Sequence, residues 1–212
     1  DYFINLAHET KTPLTLIKNY MNLYLEKHPL DSELIIIRKN IDKLIHDMVN
    51  FLDMEKLEKG QIFYNHDQIV HFSRMLKEKI DLLKPIARKK DITLSSDIAD
   101  DCYIKMDPYA LDRIINNLVD NALKYTNKNG RIDIRLKSDL DCINLYISDT
   151  GIGISEKQKK NVFIPYYQVS HKKRNMEGIG IGLSIVKKIL DEVDGEISLQ
   201  SEINKGTPLM IH

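Results

Sequence analysis

The sequence predicts an α+β chain in two parts, a two-helix hairpin followed by a domain built on a mixed, largely antiparallel sheet. Three observations carry this: two heptad seams open the chain, the period changes near Leu57–Gly60, and helical and alternating segments succeed one another beyond that point. The predicted boundary sets a first domain over 1–57 and a second over 58–212.

In the first stretch, to about Lys27, apolar or small residues recur at Phe3, Ala7, Leu14, Ile17, Met21 and Tyr24, with Thr10 in the remaining slot. Steps of four and three residues make a heptad seam. Pro29, within His28–Asp31, ends this helix. A second seam follows at Leu34, Ile37, Ile41, Leu44, Met48 and Phe51. A lone hairpin cannot bury such an edge, so two copies are expected to pair as a homodimeric four-helix bundle. Beyond the boundary, a strand near Ile69 leads to a helix over about 71–89, then strands at 92–95 and 103–106. Asp107-Pro108 has the form of an N-cap with proline in the first turn, opening a helix that runs to about Tyr125. Segments 131–137 and 144–148 alternate around Asp139, Leu140 and Asp141 as a hairpin. A helix over 183–191 and strands near Ile197 and Leu209 complete the chain.

Thirty-one acidic and thirty-one basic residues cancel among the 212, so nothing global draws the chain to nucleic acid or an anionic membrane surface. Two distant cysteines, Cys102 and Cys142, fit a reducing compartment and ordinary packing better than a disulfide or metal site. No apolar run is long enough for a bilayer span, and no signal peptide opens the sequence. The first residue already falls in a helical pattern, so a longer parent chain is expected.

Four constellations bear chemistry. His8 points away from the Ala7–Leu14 seam at helical spacing, toward solvent. Glu9 beside it is placed to accept a proton from one ring nitrogen, leaving the other as nucleophile. Pro13 removes a helical hydrogen bond to the Glu9 carbonyl and loosens the helix there. In 111–126, Asn117, Asn121 and Lys124 form a polar arc beside an apolar one; carboxamide oxygens suit a hard cation and an ammonium suits phosphate. A solvated helix edge is the commoner explanation of such an arc. Asp149-Thr-Gly151-Ile-Gly153-Ile154 forms a turn at a strand end, with Asp149 as acceptor for an amino group. Finally, Gly178-Ile-Gly180-Ile-Gly182-Leu183 opens a helix, aiming N–H groups at an anion; a flexible linker would also read this way.

The segment from Phe3 through His8, Glu9, Thr12, Pro13 and Leu14 resembles the phosphoacceptor motif of sensor histidine kinases, with Thr10 where that family usually has an apolar residue. The asparagine helix, Asp149 turn and glycine loop follow in the order of the family's ATP-binding domain, and Val162–Tyr167 resembles the aromatic motif at the base of its ATP lid. There Gln168 replaces a frequent arginine, for which Lys172, Lys173 or Arg174 could substitute. Gly206-Thr207 matches near the end, with Pro208-Leu209-Met210 altered after it. The resemblance runs from Phe3 to Met210.

It implies an α/β-sandwich ATP-binding domain and a protein histidine autokinase using ATP and Mg²⁺. Asn121 would hold the metal, with Asn117 and Lys124 at the phosphates and Asp149 at the adenine amino group. Tyr125 and Ile154 would flank base and sugar, and Gly151, Gly153, Tyr167, Gly178, Gly180, Gly182, Leu183 and Thr207 would complete the nucleotide site. His8 would take the phosphate, with Glu9 and Thr12 as its catalytic companions, and pass it to an aspartate of a response-regulator receiver domain. Glu9-x-x-Thr12 resembles the element that positions water for receiver dephosphorylation. Neither nucleic acid nor direct membrane contact is implied for this chain, which is expected to be the cytoplasmic portion of a membrane-anchored sensor. Two other readings compete. An ATPase of the gyrase, Hsp90 or mismatch-repair type would need a catalytic glutamate and lacks the helical His-Glu-x-x-Thr-Pro. A non-catalytic scaffold is favoured by Thr10, Gln168 and Pro208 and opposed by intact His8, Glu9, Asn121 and Asp149.

Overall fold

A computed structural model describes residues 2–29, 31–60, 64–139, 142–169 and 178–212, with side chains described from Glu9 onward. The chain divides into two compact units, Asp1–Phe63 and Tyr64–His212.

The first unit is a helical hairpin of α1 (Tyr2–Lys27) and α2 (Ser32–Glu58). Asp31 caps α2 by accepting the Leu34 N–H at 3.1 Å. Helix α1 continues through Pro13. Of the predicted seams, Met21 and Ile41 are buried, Leu14, Leu34, Met48 and Phe51 are half-buried, and Leu25 and Leu52 join them. Ile17, Tyr24, Ile37 and Leu44 instead stand outside the hairpin. With Leu16, Tyr20, Leu23 and Ile36 they form a second apolar stripe, on which Tyr20 is 72% exposed. The seams thus split between an inner face that the hairpin closes and an outer face that it leaves open. Phe3 and Ala7 lie outside the described side chains.

The second unit begins with β1 (Ile69–His71), paired antiparallel with β3 (Tyr103–Lys105). Helix α3 (Phe72–Lys89) starts one residue later than its periodicity suggests, because His71 ends β1 and caps the helix. Five strands form the main sheet in the order β2 (Thr93–Ile98), β4 (Arg131–Ser138), β5 (Ile143–Asp149), β7 (Thr207–Ile211), β6 (Ile197–Leu199). Only β2–β4 is parallel, so the sheet is mixed and largely antiparallel as expected. Leu140 and Asp141, at the tip of the β4–β5 hairpin, lie outside the described residues.

Strand β4 buries Ile132, Ile134 and Leu136 and leaves Asp133 half-buried and Arg135 exposed between them, the alternation of a sheet covered on one side. The covering helices are α3, α4 (Pro108–Tyr125) and α6 (Gly182–Asp191), through Leu76, Ile80, Ile115, Leu118, Ile185 and Ile189. The short α5 (Glu156–Lys159) was not legible in the sequence. Asp107 caps α4 as expected, accepting the Tyr109 and Ala110 N–H groups at 2.8 and 3.1 Å. Its other oxygen accepts the Asn65 N–H at 2.9 Å, tying the start of the unit to this helix. Pro208, within β7, accepts the Gln200 N–H at 3.0 Å. Its donor-less nitrogen therefore faces β6, an edge strand ending at Leu199, so the β5 ladder loses no bond.

Candidate functional site

In the first unit, Glu9 and Thr12 are exposed and Thr10 is half-buried. His8 lies within α1, but its side chain is outside those described. The outward direction expected for His8 therefore lies outside the described residues.

In the second unit, the packing that seats α4 turns Ala110, Leu111, Ile114, Ile115, Leu118, Ala122 and Leu123 inward and leaves Asn117, Asn121, Lys124 and Tyr125 half-buried along one edge. Asn117 donates through Nδ2 to the Arg113 carbonyl at 2.8 Å, which fixes its amide orientation. Its Oδ1 then meets the start of α6: a Cβ added to Gly182 would sit 2.7 Å from it. Glycine at 182 leaves room for the Asn117 side chain where the two helices approach, and it joins two separately predicted motifs. Asn121, one turn on, makes no side-chain hydrogen bond among the described residues. Lys124 Nζ lies 4.8 Å from the Tyr125 ring centroid.

Asp149 ends β5 on the helix-covered face and is only 8% exposed. Burial pushes its carboxyl up to about 6, and N–H groups of Gly151 and Thr207 oppose the rise. The Gly151 N–H reaches Oδ1 at 2.7 Å. Two glycines shape this corner by close approach at positive φ. Gly153 (φ +66) packs on the Glu202 carbonyl, and Gly206 (φ +90) on the carbonyl of Asp149 itself. A side chain at either would collide with backbone that cannot swing aside. Ile154 follows, half-buried, with its N–H held by Ser201 Oγ at 2.8 Å.

The segments flanking 170–177 also meet. Gln168 donates through Nε2 to the Gly178 carbonyl at 2.7 Å, and Gly180 packs on the Tyr167 carbonyl. Where the resemblance placed an arginine, the glutamine therefore serves as a tie across the base of the segment. Lys172, Lys173 and Arg174 lie outside the described residues. Leu183 is half-buried in the first turn of α6.

The second unit thus brings together the asparagine edge of α4, the Asp149 turn, the start of α6 and Thr207. Sequence reasoning missed Ser201, buried between Ile154 and Thr207. No periodicity or motif singles it out; only the fold puts it at the site. Among the described residues, no group of three or more His, Cys, Asp or Glu could cage a metal. The donors present suit a cation held by one carboxamide oxygen and a ligand's own phosphates, the manner in which Mg²⁺ is usually bound. Asn121, half-buried with its amide uncommitted, fits that description.

A two-layer unit with helices on one face of a mixed sheet, a buried acid at a glycine turn and an asparagine-bearing helix defines a nucleotide-binding class. Residues 106–212 match the family described as histidine kinase-, DNA gyrase B-, and HSP90-like ATPase, and the chain belongs to it. It is 32% identical over 220 residues to the autoinducer 2 sensor kinase/phosphatase LuxQ of Vibrio vulnificus, covering 98% of this chain and 25% of that protein. It is 33% identical over 214 residues to the signal transduction histidine-protein kinase ArlS of Staphylococcus aureus, covering 97% of this chain and 46% of that one. The chain therefore spans less than half the length of these relatives. Full-length ShkA, solved with AMPPNP, shares the fold over 99% of this chain and 44% of its own, with a TM-score of 0.76 at 22% identity.

Proposed function

We propose that this chain is the catalytic core of a sensor histidine kinase, transferring the γ-phosphate of ATP to His8. The observation that carries this is the meeting of Asp149, Gly151 and Thr207 at one end of the sheet beside α4, where Asn117 abuts Gly182. A buried acceptor of this kind suits an exocyclic amino group, and N–H groups at the start of α6 suit phosphate. Naming of relatives as sensor histidine kinases, and a nucleotide analogue in ShkA, support the same reading.

Phosphoryl transfer depends mainly on positioning and charge neutralisation. In this scheme Asp149 reads the base, Tyr125 and Ile154 bound the base and sugar, and Asn117 and Lys124 meet the phosphates. Asn121 would hold Mg²⁺, whose contribution is to neutralise phosphate charge. Tyr167, Gly178, Gly180 and Leu183 frame the phosphate end. Glu9 accepts a proton from His8 and leaves the other ring nitrogen free to attack. The outer stripe of the hairpin, Ile17, Tyr20, Tyr24, Ile37 and Leu44, would be covered by a second copy in a four-helix bundle. Phosphate would then pass to a receiver aspartate, and Glu9 with Thr12 would position water for the reverse hydrolysis. We place the chain on the cytoplasmic side of its parent; both cysteines are free, as a reducing compartment requires. No described helix is long and apolar enough to cross a membrane.

Incubation with γ-labelled ATP and Mg²⁺ tests the proposal. Acid-labile, alkali-stable label is expected on the wild type and on neither His8→Ala nor Asn121→Ala. ATP binding by the dimer without any label would defeat the kinase reading. With a phosphorylated receiver added, Thr12→Ala should abolish dephosphorylation while keeping autophosphorylation.

A further inference from the structure

Ser201 lies between the two segments that frame Asp149, and no motif assigns it a role. Its side chain is 5% exposed, and its hydroxyl makes three contacts. It accepts the Ile154 N–H at 2.8 Å, donates to the Gly206 carbonyl at 2.8 Å and lies 3.0 Å from Thr207 Oγ1. A hydroxyl has one proton and two lone pairs. An amide can only donate and a carbonyl can only accept, so the single Ser201 proton goes to Gly206. That leaves one direction for the third contact: Thr207 donates and Ser201 accepts. Every bonding position of Ser201 is used, and the Thr207 proton is committed.

Thr207 and Asp149 are directly paired across β7 and β5, so their side chains leave the same face of the sheet. With its proton turned toward Ser201, Thr207 Oγ1 offers only lone pairs to any further group. Ionised Asp149 likewise offers only acceptors. The wall here is therefore a pair of acceptors, matched to the two hydrogens of an exocyclic amino group and mismatched to an oxo group. The same serine fastens the Gly151–Ile154 turn to the Gly206–Thr207 segment, so one residue sets both the spacing of the wall and its polarity.

We propose that Ser201 is a positioning residue for nucleotide selection, fixing Thr207 as an acceptor so that a purine bearing an amino group is chosen over one bearing an oxo group. The inference rests on the ATP-binding reading above. Binding of ATP and of inosine triphosphate, and the ATP dependence of autophosphorylation, would be measured for wild type, Ser201→Ala, Thr207→Val and the double variant. Loss of one hydrogen-bonding arrangement is expected to raise the half-saturating ATP concentration of Ser201→Ala about tenfold. The rate at saturating ATP should stay within about twofold, and the preference for ATP over inosine triphosphate should fall. The double variant should bind ATP no worse than Thr207→Val alone, because both changes remove the same arrangement. A purely structural serine would lower the melting temperature and leave nucleotide preference unchanged. Unaltered ATP affinity and preference in folded Ser201→Ala would overturn the proposal while leaving ATP binding intact. If Ser201→Ala does not fold, Thr207→Val decides alone, and unchanged preference there overturns it. A wild-type chain that binds neither nucleotide would instead overturn the reading on which the inference rests.

Discussion

Asp149 is held between burial, which opposes its charge, and two backbone N–H groups, which support it; burial wins, and its carboxyl rises from 3.8 to about 6. The sign for stability follows from linkage. Between about pH 4 and 6 the unfolded chain has lost this proton while the folded chain keeps it, so stability falls as pH rises through that window. A rise of this size corresponds to on the order of 3 kcal/mol. Asp149→Asn should flatten this part of a urea-denaturation pH profile and be at least as stable as wild type at pH 7, yet bind ATP far more weakly. A variant keeping the wild-type profile would show that Asp149 does not carry it. Asp149, Asn117 and the glycines were legible in the sequence because amphipathic spacing and turn chemistry mark them locally. Ser201 was not, since its role depends on Ile154, which only the folded sheet brings near. Gln168 shows a further limit: its identity was visible as a departure, but its tie to Gly178 was not.

Among the elements, the hairpin was the most legible, because a seven-residue period survives without knowledge of the rest of the chain. What the period could not show was its division into two stripes, one closed by the partner helix and one open. The two faces should respond differently to substitution. Leu52, buried in the inner face, should lose about 2–5 kcal/mol of stability as Leu52→Ala, which removes packed methyl groups and leaves a cavity. Tyr20→Glu with Ile37→Glu on the outer stripe should leave the helical content of each chain intact and shift sedimentation from dimer to monomer. A double variant that still sediments as a dimer would rule out this stripe as the contact. The α4 cap was legible from Asp107-Pro108 alone, whereas β6, three residues long, has too little pattern to fix its bounds.

For the whole molecule, strand order was the least legible feature, because the pairing of β2 with β4 and of β5 with β7 joins segments far apart in sequence. That order has a kinetic consequence. Strands β4 and β5 are joined by a short hairpin and can pair early, but β7 reaches β5 only after the chain between residues 150 and 206 has closed. Long-range closure of this kind is slow compared with hairpin formation. In refolding from urea, far-ultraviolet circular dichroism should therefore recover before a fluorescent ATP analogue can bind, and simultaneous recovery would refute the sequence of events. Asp149 and Thr207 come from the two strands that this long-range closure must bring together. Affinity for nucleotide would then be acquired only as β7 docks on β5, so that molecules lacking this pairing stay silent.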